Sequence, residues 1–129
     1  MLTYRATNGY VEFTATGSVT AEEAAATFVA IRDDVAVPSG LSWLMDLRQY
    51  DQSSMPPDDM PARVSRMIAI LGPKLGPFWA LVLDTQIEHA IRGRLLQQFV
   101  QDRDATVMLF RDVAEAREWL DAMTTRRAQ

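Results

Sequence analysis

The chain reads as an α/β domain in the order ββαβαβαβα, with a mostly parallel sheet that starts from a β-hairpin. Three observations predict it. An Asn-Gly pair joins two strand-like runs near the start, helix-capping signals recur between later apolar runs, and two of those runs are apolar on both faces. Helices alternating with strands imply parallel strands joined by right-handed crossovers, so only the first strand is expected to run antiparallel.

The hairpin comes first. Asn8-Gly9 lies between "LTYRAT" and "YVEFTAT", and this pair favours the positive φ angles of a tight type I′ turn. In the second strand Val11, Phe13 and Ala15 alternate with Glu12, Thr14 and Thr16, so one face is buried and the other at least partly wet. Thr20 with Glu23, Thr85 with Glu88, and Asp112 with Glu115 each place a capping oxygen three residues before a glutamate. Such pairs satisfy orphaned amides at a helix start, each cap contributing about 1 kcal/mol. Helical spacing follows each one: Ala24, Phe28, Ile31 and Val35; then Ile87, Ile91, Leu95 and Phe99; then Val113, Ala116, Leu120 and Met123, with Trp119 beside them.

A further helix starts between Pro57 and Pro61, carries Met60, Val64, Met67, Ile68 and Leu71 on one face, and stops at Gly72-Pro73. The intervening strands are "LSWLMDL", "FWALVLD" and "TVMLF"; the last two are apolar on both faces, as strands covered on both sides are. The prolines of "GPKLGP" read as a stiff connector, without the spacing of a phosphate-binding loop. A length of 129 residues suits one domain over 1–129, with a frayed tail over about 124–129.

Bulk properties narrow the function classes. The net charge of −4 argues against a nucleic-acid partner, whose phosphates call for basic density. No cysteine is present, which removes disulfides, thiolate metal sites and a cysteine nucleophile and suits the cytoplasm. "MLTYRATNGY" has no basic region leading into an apolar stretch, so a secretory signal is not expected. The apolar runs are strand-length, short of the roughly 20 residues that cross a bilayer, so stable membrane insertion is not expected either.

The stretches "GSVTAEE" (17–23), "LMDLR" (44–48), "FWALVLD" (78–84) and "VMLFRDVAEAREWL" (107–120) resemble, in order and over nearly the whole chain, the SpoIIAA-like group of the STAS superfamily, small bacterial STAS/SEC14-type domains. The resemblance implies a βα superhelix used for protein–protein regulation rather than chemistry. It also implies a serine phosphoswitch, in a motif of the form Asp-Ser-Ser-Gly, beside the strand matching "LMDL". The nearest counterpart is Asp51-Gln52-Ser53-Ser54, where a glutamine intervenes and Met55-Pro56-Pro57 follows in place of glycine. Asp51, Asp58 and Asp59 would oppose an added phosphate, so Ser53 and Ser54 read first as loop serines bonded to nearby backbone.

Three aspartates, Asp46, Asp84 and Asp112, fall at or just past the C-terminal ends of parallel strands, where α/β folds gather ligands. A metal-dependent enzyme would use Asp46 and Asp84, yet Asp112 reads as a helix cap and Asp46 has Arg48 as an ion partner, so no metal or other cofactor is expected. His89, the only histidine, lies off its helix's apolar stripe. The first expectation is therefore a non-catalytic interaction module, regulatory, binding a protein partner or a second copy through Asp46, Arg48 and Tyr50. The alternative is a binder of a small apolar ligand or lipid, with Trp43, Met45, Met60, Met67, Phe78 and Trp79 around a SEC14-like groove, since methionine suits adaptable surfaces.

Overall fold

The structure is a computed structural model that describes residues 1–7, 9–51, 57–83, 94, 97 and 105–128. Among the described residues five strands form one sheet in sequential order: β1 (Leu2–Ala6), β2 (Tyr10–Gly17), β3 (Leu41–Tyr50), β4 (Leu75–Val82) and β5 (Thr106–Phe110). As expected, β1 runs antiparallel to β2 and every other pair is parallel. The hairpin closes where the Thr7 amide donates to the Tyr10 carbonyl at 2.9 Å. Gly9 takes a φ of 105°, which a residue without Cβ adopts freely, while Asn8 lies outside the described residues.

Two helices, α1 (Ala21–Asp33) and α2 (Met60–Leu71), pack on one face of the sheet beside each other. Right-handed crossovers that advance steadily in one direction place their helices on a single face. There Ile31, Met60, Met67 and Leu71 meet Val11, Phe13, Trp43, Trp79 and Leu81. The last helix, α3 (Val113–Ala128), crosses to the opposite face and buries Ala116 and Leu120 against Leu44, Ala80 and Val82. Both faces of β3 and β4 are therefore covered, and this is why "FWALVLD" reads as a continuous apolar run. The helix continues through Ala128, across the stretch expected to fray.

The caps act as the spacing predicts, with one difference of detail. The Thr20 hydroxyl accepts from the Glu23 amide at 3.1 Å, and the Asp112 carboxylate accepts from the Ala114 amide, one residue short of Glu115, at 2.8 Å. The Thr85–Glu88 cap lies outside the described residues, as do all four apolar positions of the helix expected behind it. Of that segment Gln97 is described, and its side-chain amide donates to the Val107 carbonyl at 2.7 Å.

Two expectations are corrected. Val35 is 99% exposed instead of buried, because α1 ends two residues earlier. The Asp34 carboxylate accepts from the Ala36 amide at 2.9 Å and from the Tyr4 hydroxyl at 2.9 Å, which stabilises a turn over another helical residue. The "GPKLGP" stretch is not all connector. A 3-10 turn over Gly72–Lys74 leads directly into β4 at Leu75. Gly76 is buried there against the Leu41 and Gly40 carbonyls, where any Cβ would collide with backbone. Lys74 turns its ammonium to the carbonyls of Asp34 and Val37 and pins the loop after α1.

Candidate functional site

The C-terminal half of β3 decides the geometry of the candidate surface. Thr14 sits opposite Asp46, but Thr16 sits opposite Gln49, so β3 carries one extra residue between these pairings. A bulge of this kind breaks the strict alternation of side chains. Before it, Asp46 lies on the α3 side of the sheet, level with Thr14 and Val82. After it, Tyr50 joins Met45 and Leu47 on the side of α1 and α2. The expected trio is thereby split: Asp46 and Arg48 share one face and Tyr50 belongs to the other.

On the α3 side, the Arg48 guanidinium makes a two-pronged contact with Asp46, Nε to Oδ1 and Nη2 to Oδ2, both 2.9 Å. The same Oδ1 also accepts the Arg48 amide at 3.2 Å. These bonds hold the Asp46 carboxyl below the usual carboxylate range, against the opposing effect of burial, and push the Arg48 guanidinium up. Deeper on the same face, the buried Glu12 bridges two arginines, Arg5 Nη2 at 3.1 Å and Arg117 Nη2 at 2.8 Å. Such closed pairs serve the fold, since each charge already has its partner.

The opposite face holds a pocket of about 160 Å³ between α1, α2 and the ends of β2 and β3. Phe13, Phe28, Met45, Met60, Val64 and Met67 form its apolar body. Alanines at 21, 24 and 25 make one wall, and their small side chains leave the volume that bulkier residues would fill. Phe13 is fixed below by Trp43, stacked with ring centroids 4.9 Å apart, and beside it by Phe28, edge-on at 5.9 Å. Of the described lining residues Arg66 alone is exposed, so it marks the open side. Arg63, three residues earlier and half-buried, donates Nη1 to the Val19 carbonyl at 3.2 Å.

The remaining candidates separate. Three of the six aromatic and methionine positions proposed for a groove, Met45, Met60 and Met67, do line this pocket. Trp43 and Trp79 are core beneath it, and Phe78 lies on the other face against Trp119. Asp112 serves as the α3 cap. Ser53, Ser54, Asp84 and His89 lie outside the described residues. Among the described residues no group of three histidine or carboxylate side chains is placed to hold a metal ion, and no described helix is long and apolar enough to cross a membrane. The alanine wall escaped sequence reasoning, because alanine in a helix signals propensity rather than a vacancy above it.

Comparison with known proteins bears on the fold. No family model matches, and no curated protein does. Among solved structures, the chain is similar to an uncharacterized protein of the DUF3478 family from Shewanella loihica PV-4, described as having a SpoIIAA-like fold. The likeness has a TM-score of 0.64 at 14% identity and covers 93% of this chain and 92% of the other. The chain has a SpoIIAA-like fold, in agreement with the resemblance seen in its sequence.

Proposed function

We propose that this SpoIIAA-like domain is a non-catalytic binding module whose working site is the pocket between α1 and α2, and that it takes a small apolar ligand there. It works in the cytoplasm, which a chain without cysteine suits. One observation carries the reading: a solvent-reachable pocket walled by alanine and floored by phenylalanine and methionine, beside the main hydrophobic core. Its volume is close to the roughly 150 Å³ of an engineered apolar cavity that admits benzene. The ligand body is therefore ring-sized or a short chain, smaller than a whole lipid.

Filling the space tests it. Ala24→Leu places a larger apolar side chain into the pocket from a half-buried helix position. Native mass spectrometry of freshly purified protein is expected to show a small added mass, or toluene binding once toluene is supplied, and the variant is expected to lose either. A wild-type chain that stays bare and ignores toluene refutes the reading.

A second reading, a regulatory module for a protein partner or a second copy, is favoured by the α3 side of the sheet. Helix α3 packs on β3, β4 and β5, while Thr3, Arg5, Arg48 and Gln49 of the same sheet are exposed. A polar strip of this sort suits a reversible interface, where exposed charges set orientation. For the second-copy form the check is sedimentation: a dimer that Arg48→Glu dissociates supports it, and a monomer at every concentration removes it.

A further inference from the structure

Resting on the pocket reading above, we infer that the ligand is a small organic acid: a ring-sized or short-chain apolar body in the pocket and a carboxylate held at its open side by Arg63 and Arg66. The two arginines are three residues apart on α2, a spacing that puts them on one helix face. Both line the pocket, and among the described residues no acidic side chain lines it with them. This local excess of two positive charges stands in a chain of net charge −4. Neither guanidinium has a carboxylate partner among the described residues; Arg66 has no hydrogen-bond partner there, and Arg63 spends one N–H on the Val19 carbonyl. By contrast, Arg5, Arg32, Arg48 and Arg117 are all paired with aspartate or glutamate. Among the described residues, the arginines that hold the fold take their acid from the chain itself, and the two at the pocket do not. A guanidinium offers five donors in a planar fork that matches a carboxylate, so an acid bound by its apolar end would bring the missing anion to the arginines.

The probes are 3-phenylpropionate, its neutral amide 3-phenylpropionamide, and toluene, which carries the apolar body alone. Each is titrated into the full chain and followed by amide and methyl NMR shifts at Ala24, Ala25 and Met67. The acid is expected to bind about tenfold more tightly than the amide, the difference one charge-assisted contact makes. Arg66→Gln, at an exposed position that leaves the core alone, is expected to erase that preference while toluene binding persists; Arg66→Lys, which keeps the charge and loses the fork, is expected to restore part of it. Equal affinity for acid and amide, or an acid affinity that Arg66→Gln leaves unchanged, overturns the inference and leaves the apolar pocket standing. If toluene also fails to shift those residues, the pocket reading falls and the inference falls with it.

Discussion

Trp43 and Trp79 form a matched experiment within one core. They are register partners on adjacent strands, 0% and 2% exposed, and differ in one respect. The Trp79 indole N–H donates to the Gly76 carbonyl at 2.8 Å, whereas the buried Trp43 indole N–H has no acceptor among the described residues. Replacing either by phenylalanine removes the same atoms and costs about 2 kcal/mol in lost contacts and residual cavity. At position 79 the lost hydrogen bond adds about 1 kcal/mol. At position 43 the change removes an unpaired buried donor, which returns about 1–2 kcal/mol, and a phenyl ring there still stacks on Phe13. Trp43→Phe is therefore expected to cost roughly 0–1 kcal/mol and Trp79→Phe about 3 kcal/mol. Urea unfolding followed by far-UV circular dichroism reads the difference of about 2–3 kcal/mol as a midpoint gap of about 0.7–3 M, for slopes of about 1–3 kcal/mol/M. Equal losses, or a larger loss at Trp43, would show that its N–H is bonded after all and that the reasoning is wrong.

Other expectations are simpler to state. Gly76→Ala drives a methyl group into the Leu41 carbonyl, at a point where two strands and the turn after α2 meet, and is expected to cost about 1–3 kcal/mol in the same unfolding assay. Thr20→Ala removes the oxygen that accepts the Glu23 amide and is expected to cost about 1 kcal/mol, with Thr20→Ser recovering most of it. Asp46 has its carboxyl held down by Arg48 in the folded state, so its contribution is complete above the unfolded carboxyl value near 3.8 and is lost as pH falls through the lower folded value. Because Arg48 is about half exposed, that contribution is discounted to about 1 kcal/mol or less. Arg48→Gln is expected to flatten this part of the acid limb in a stability–pH profile.

The fold was legible because its signals are local and repeated. Alternation in β2, the cap at Thr20 and the doubly apolar "FWALVLD" each depend on neighbours a few residues away, and the paired strands and helices formed where those signals lie. The end of α1 was misread because helical spacing alone continues to Val35; the Asp34 side chain stops it by bonding to Ala36 and to Tyr4, 30 residues distant. The candidate surface was legible as a segment but not as a surface. Asp46, Arg48 and Tyr50 are near neighbours in the chain, and one extra residue in β3 sends them to opposite sides.

By itself, then, the amino-acid order determined the class of the fold, the antiparallel first strand and the inward stripes of α2 and α3, since periodicity and capping are properties of short stretches. Tertiary structure alone decided that three alanines of α1 and Phe13 line one pocket, and, among the described residues, that Arg63 and Arg66 of α2 line it without an acid and that Trp79 finds an acceptor where Trp43 has none. Those outcomes depend on the relative placement of groups far apart in the chain. No periodic pattern encodes a void or an unpaired charge; both appear only when the elements pack.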